Sequence, residues 1–109
     1  MVVMVWRYRV KPGCEAAFEA LYGPDGAWVA LMRRDAHWRA TRLLRDAEAP
    51  GVYLTLDEWR APGDFEAFRA RHADDYAALD AAGDRLTESE ERVGVFAAPT
   101  SVPAGKLPP

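Results

Sequence analysis

Two periods of apolar residues alternate along this chain. Residues 2–10 repeat every second position. Val2, Met4, Trp6, Tyr8 and Val10 share one face of a predicted strand, and Val3, Val5, Arg7 and Arg9 share the other. Lys11-Pro12-Gly13 ends that pattern. Residues 15–22 change to helical spacing, with Cys14, Phe18, Leu21 and Tyr22 on the buried side. Gly23-Pro24-Asp25-Gly26 stops this helix, and Asp25 is a candidate cap for a second short one. Trp28, Leu31 and Met32 give that second helix its apolar side. Residues 37–46 alternate again, with Trp38, Ala40, Arg42 and Leu44 opposite His37, Arg39, Thr41 and Leu43. Pro50-Gly51 then supplies hairpin chemistry before the next strand.

The chain is organised around residues 52–76. Val52, Leu54 and Leu56 form one row of a strand; Tyr53, Thr55, Asp57 and Trp59 form the other. Both rows carry apolar bulk, so both faces should be covered. Pro62 marks a first helical position, and Asp64 falls in the first turn, where the helix dipole favours a carboxylate. Phe65, Phe68, His72, Tyr76 and Leu79 follow at steps of three and four, a single helical stripe. This helix should run, with a kink, to about Ala82, with Gly83 as its C-cap. Residues 92–96 form the last strand, which begins as early as Glu88. Pro99, Pro103, Pro108 and Pro109 exclude a central strand beyond it.

The resulting order, βαββαβ, predicts an α+β ferredoxin-like domain over residues 1–97, with a four-stranded antiparallel sheet. Residues 98–109 form a Pro-rich C-terminal tail. Val3, Val5, Leu54 and Leu56 have the opposite parity from Trp6, Tyr8 and Trp59. One apolar row must therefore face away from the helices. A homodimer packed sheet to sheet, a dimeric α+β barrel, covers it. Glu58 is expected to pair with Arg7 or Arg9 near that face.

Composition narrows the function classes. With 109 residues this is one domain, and a formal net charge of −3 argues against nucleic acid and anionic membrane as partners. One cysteine excludes an intramolecular disulfide and multi-cysteine zinc sites. Cys14 itself reads best as a small buried hydrophobe. No metal site is expected from His37 and His72 alone. The N-terminal apolar run meets Arg7 too soon for a signal core or a membrane span, so a cytoplasmic location is expected.

Candidate chemistry gathers on the aromatic rows. His72 is either a half-buried, hydrogen-bonded helix residue or a pocket histidine suited to acid–base work. Asp57, mid-strand, must find a partner or shift its pKa if buried. Trp6 and Trp59 either line a cavity for a flat ligand or simply fill the core. Tyr22, Tyr53 and Tyr76 are possible hydrogen-bond donors to a ligand oxygen.

Several pieces of the chain resemble a known family. They are Trp6-Arg7-Tyr8-Arg9-Val10-Lys11-Pro12-Gly13, Phe18 and Tyr22 followed by Gly26 and Trp28, and the run Tyr53-Leu54-Thr55-Leu56-Asp57-Glu58-Trp59. Phe65, Phe68 and Tyr76 follow, then Leu86-Thr87 with Glu91, Gly94 and Phe96. Together, over about residues 2–97, they are similar to the antibiotic-biosynthesis-monooxygenase-like members of the dimeric α+β barrel superfamily. The resemblance implies oxygenation of an aromatic or polycyclic substrate with no cofactor. His72 or Asp57 would be the base. Trp6, Tyr8, Trp28, Tyr53, Trp59, Phe68 and Tyr76 would be the substrate-binding walls. Within the superfamily the haem-degrading branch keeps an asparagine where this chain has Trp6, which argues against haem degradation, although Trp59 and His72 lie near that branch's tryptophan and histidine. The cofactor-free branch also uses asparagine, and this chain has none. The alternative is a non-enzymatic ligand-binding or accessory dimer of the same fold.

Overall fold

The structure, a computed structural model, describes residues 1–99. The expected tail lies almost wholly outside the described residues. Strand β1 (Val2–Val10) leads into helices α1 (Glu15–Tyr22) and α2 (Ala27–Met32). The hairpin β2 (Trp38–Arg45) and β3 (Val52–Trp59) follows, then α3 (Asp64–Arg71), α4 (Ala73–Asp84) and β4 (Thr87–Phe96). The sheet is antiparallel in the order β2-β3-β1-β4, the ferredoxin-like arrangement, with the helices on one face.

The parity expected for the two central strands is the parity observed. Val2 pairs with Trp59, Met4 with Asp57, Trp6 with Thr55 and Tyr8 with Tyr53, so one face of β1 and β3 gathers every aromatic residue they carry. That face meets the helices: Tyr8, Phe18, Tyr22, Trp28, Tyr53, Trp59, Phe65 and Phe68 are all buried. Phe18 sits at the centre of one ring cluster, 4.3 Å from Tyr22, 4.8 Å from Tyr53 and 5.2 Å from Tyr8 between centroids. Val3, Val5, Leu54 and Leu56 point the other way and are only half-buried.

Several local features depart from the sequence expectation. In β2, the residue pairs step from Trp38 opposite Trp59 to Ala40 opposite Glu58, leaving Arg39 as an extra residue. This bulge reverses the parity before it. Trp38 therefore joins Thr41 and Leu43 on the helix-facing side instead of Ala40 and Arg42. In the central helix, His72 leaves helical geometry at φ −119°, ψ 36° and divides the expected single helix into α3 and α4. Pro62 is exposed and precedes Gly63, which adopts φ +91° as the N-cap of α3, so the helix starts two residues later than proline placement suggests. Arg7 pairs with Glu91 of β4 at 3.6 Å, not with Glu58. The register explains this: Glu91 stands directly opposite Arg7, whereas Glu58 stands opposite Val3.

Asp64 does occupy the first turn of α3. Its carboxylate accepts the Ala61 N–H at 2.8 Å and approaches His37 Nδ1 at 3.5 Å. Asp35, buried, accepts the His37 N–H at 2.8 Å and pairs with Arg71. The two carboxylates thus tie the entry of β2 to both ends of α3.

Gly83 is not a C-cap but an interior residue of α4, buried against Tyr22 of α1. In a helix interior, alanine is ordinarily about 1 kcal/mol better than glycine. Here a Cβ would intrude on the Tyr22 hydroxyl and stand 3.1 Å from its ring carbon Cζ. Gly83→Ala should therefore destabilise the domain by roughly 1–3 kcal/mol, the usual cost of overpacking. Urea denaturation checks this, and the loss should shrink in a Tyr22→Phe background, where the hydroxyl is gone.

Candidate functional site: an aromatic cavity over a buried aspartate

Between the aromatic face of the sheet and the helices lies a cavity of about 40 Å³, within a wider concavity of about 470 Å³ that includes solvent at its mouth. β1 contributes Trp6 and Tyr8; β3 contributes Thr55 and Asp57; β2 contributes Thr41. The helices close it with Tyr22, Trp28, Met32, Phe65, Phe68 and Tyr76. Asp80 of α4 and Glu90 of β4 complete the lining.

Asp57 is the chemical centre of this wall. It is 7% exposed, and Thr41 Oγ1 donates to its Oδ1 at 2.8 Å. Thr41 in turn accepts the Trp38 indole N–H at 3.0 Å. With an acceptor site of its oxygen filled by Trp38, Thr41 is oriented to give its hydroxyl proton to Asp57. One hydrogen bond does not offset the loss of water around a carboxylate. Burial accordingly pushes Asp57 up from 3.8 to about 6, with the Thr41 bond pulling the other way.

The phenols of the cavity stay neutral. Burial holds Tyr8 well above its ordinary value, opposed by its 3.3 Å contact with the Thr55 hydroxyl and reinforced by Tyr22, Glu90 and Asp57. Burial raises Tyr22 as well, with Glu90 adding to it and the nearby Trp28 N–H opposing. Tyr76 is pushed up to about 12 by burial; Arg69, over its ring at 5.0 Å, opposes this. These hydroxyls are donors at neutral pH, and Asp57, the buried carboxyl of this wall, is poised to exchange a proton there.

Of the nine residues that the resemblance makes base or wall, six line this cavity: Trp6, Tyr8, Trp28, Asp57, Phe68 and Tyr76. Three lie elsewhere. Trp59 is sealed in the core at 1% exposure, its ring 5.2 Å from that of Phe68 and its indole N–H without a partner. Tyr53 turns towards α1, where its hydroxyl donates to Glu19 at 2.6 Å. His72 packs on Phe68 at 5.3 Å from the hinge between α3 and α4, outside the cavity lining. The break in the helix takes it out of the stripe that Phe68 and Tyr76 continue.

Sequence reading missed Thr41, Thr55, Asp80 and Glu90. The bulge at Arg39 hides Thr41, because simple alternation assigns it to the face away from Trp38. A bulge in β4 likewise conceals Glu90: Val5 pairs with Gly94 but Trp6 with Arg92, which brings Glu90 opposite Tyr8. Thr55 was legible, since it alternates with Tyr53 and Asp57.

A family model described as antibiotic biosynthesis monooxygenase matches residues 1–79. The chain belongs to that family. Among solved structures it is similar to SnoaB, a cofactor-independent oxygenase from Streptomyces nogalater, at 24% identity, over 94% of this chain and 96% of that one, with a TM-score of 0.75. It is similar to an uncharacterised NIPSNAP domain protein from Burkholderia xenovorans at 19% identity, over 94% and 99%, with a TM-score of 0.70. It is also similar to PA3566 from Pseudomonas aeruginosa at 16% identity, over 87% and 88%, with a TM-score of 0.66. A search of curated proteins finds no match. Among the described residues, no helix is long and apolar enough to cross a membrane.

The raised pKa of Asp57 is also a statement about stability. The folded state holds this proton more tightly than the unfolded chain does. The contribution to stability is full below about pH 4 and is lost as pH rises through about 6. Asp57→Asn removes that titration. The stability of wild type relative to Asp57→Asn should fall between pH 4 and pH 7 by up to about 3 kcal/mol. Parallel urea melts of the two proteins across that range measure it.

Proposed function

We propose that this protein is a cofactor-independent monooxygenase of small aromatic or polycyclic phenols, with Asp57 as its base. The observation that carries the proposal is a buried carboxyl, pushed up to about 6 by its burial, in the wall of a largely aromatic cavity. Asp57 takes the phenol proton; the electron-rich anion then gives its electrons to dioxygen. For a simple phenol the balance is phenol plus O2 to quinone plus water, with one oxygen atom placed on the ring and the other leaving as water. The substrate alone supplies the electrons. Neutral Tyr8, Tyr22 and Tyr76 offer hydrogen bonds to the anion, and the indoles of Trp6 and Trp28 offer flat walls. Water exclusion by the aromatic lining strengthens each of these contacts. A ligand larger than the cavity enters by moving the side chains at the rim.

Likeness to SnoaB in fold and the family match support this reading. Trp6 stands in the cavity wall, and His72, the histidine nearest in sequence to the haem-degrading pattern, lies outside the lining. The other reading, a binding or accessory protein without chemistry, uses the same cavity and is separated by oxygen uptake. Wild type should consume oxygen with a dihydroxynaphthalene and no added cofactor. Its kcat/KM should rise with pH through about 6, because the base must be unprotonated. Asp57→Asn should lower kcat/KM by roughly 10²-fold or more, the usual worth of a positioned base. Ligand binding without oxygen uptake would leave only the accessory reading.

The homodimer belongs to the same proposal. Half-buried Val3, Val5, Leu54 and Leu56 form the outward sheet face, and exposed Val93, Val95 and Phe96 continue the apolar surface along β4. A second copy packed on this face would cover it. Leu54→Glu should convert the dimer into a monomer, or unfold it, because a buried unpaired carboxylate costs several kcal/mol. Analytical ultracentrifugation decides this, and a wild-type protein that sediments as a monomer would refute it.

A further inference from the structure

The cavity is aromatic on its walls but strongly one-sided in charge. Among the described residues, three that line it are carboxylic acids, Asp57, Asp80 and Glu90, and none is basic. One carboxylate oxygen from each of Asp80, Asp84 and Glu90 lies within 4.8 Å of the other two. Among the described residues none of these three has an ion-pair partner. Arg69 acts on Asp80 from a distance, yet it lies over the Tyr76 ring and is not among the residues lining the cavity. Burial raises Asp80, with Asp84 adding and Arg69 opposing; burial raises Glu90, with Asp80 and Asp84 adding. Like charges gathered at a partly desolvated site repel, and a positive group placed among them relieves that repulsion.

A second observation points to a ligand in the same space. Trp28 is 9% exposed and lines the cavity, and its indole N–H, although close to the Tyr22 hydroxyl, completes no hydrogen bond of good geometry with it. A buried donor without an acceptor is costly, and a ligand oxygen supplies one. The unfilled donor and the uncompensated carboxylates thus describe complementary ends of one molecule.

We propose that the Asp80–Glu90 rim makes this cavity selective for an aromatic hydroxyl compound that also carries a positively charged amine. This rests on the reading of the cavity as an aromatic-binding site and adds the charge of the ligand to it. A carboxylated analogue is disfavoured by the same carboxylates.

Isothermal titration calorimetry with three probes of one scaffold tests it: 6-(aminomethyl)-2-naphthol, 2-naphthol and 6-hydroxy-2-naphthoate. The ammonium compound should bind tightest and the carboxylate weakest, with at least roughly a tenfold spread in Kd. Raising salt from about 20 mM to about 500 mM should compress that spread in the wild-type protein, because the rim is open to solvent. The double variant Asp80→Asn, Glu90→Gln should reduce it to roughly twofold or less. Equal binding of all three probes, or tightest binding of the carboxylate, overturns the charge selectivity and leaves the aromatic site standing. An unchanged order of affinities in the folded double variant overturns the assignment to this rim. Failure of every probe to bind overturns both the selectivity and the aromatic reading beneath it.

Discussion

The register of β1 against β3 is the constraint from which the rest of the molecule follows. Setting Tyr8 opposite Tyr53, Trp6 opposite Thr55 and Met4 opposite Asp57 puts rings, hydroxyls and a carboxyl on one side and short aliphatic residues on the other. A slip of one residue would exchange the two faces completely. It would turn Asp57 towards the outer surface and Leu56 towards the helices, abolishing the cavity wall and the aliphatic patch together. The inner face is too wide for a single helix, and two helical pairs cover it from either end. Their seam, where Tyr22 and Trp28 approach Tyr76 and Gly83, is where the cavity opens.

The cavity is therefore a consequence of imperfect coverage by large rings. Trp28 meets Tyr76 edge-on at 5.0 Å, and Phe65 and Phe68 approach the same ring from the other side. Rings at such angles leave gaps that aliphatic side chains would fill. Polar groups reach that gap from the sheet, where backbone hydrogen bonds fix their positions to within a side-chain rotamer. Thr41, Thr55 and Asp57 owe their placement to rigid strands rather than to loops, which suits a site that must hold a proton at one atom.

Much of this was legible in the sequence, because strands with two contrasting rows fix their own orientation. Trp6, Tyr8, Asp57, Phe68 and Tyr76 lie in the cavity wall for the parity and spacing that single them out. The losses have two physical sources. A bulge adds a residue without leaving a compositional mark, so Thr41 and Glu90 stay invisible to any rule of alternation. A helix break of one residue preserves the i, i+4 hydrogen bonds on both sides, from His72 N–H to Phe68 and from Tyr76 N–H to His72. His72 thus sits on an unbroken stripe in sequence and away from the cavity in space. Trp59 and Tyr53 show a further limit: parity says which layer a side chain enters, not which part of that layer is filled.

The distribution of the indoles makes the protein its own optical reporter. Trp59 is sealed among Phe65 and Phe68, so its emission is that of an indole in apolar surroundings and is indifferent to the contents of the cavity. Trp38 is partly exposed and keeps its N–H on Thr41. Trp6 and Trp28 alone border the cavity. A spectral change on filling it arises from these two, on strand β1 and helix α2, and replacing either by phenylalanine separates what the sheet senses from what the helices sense.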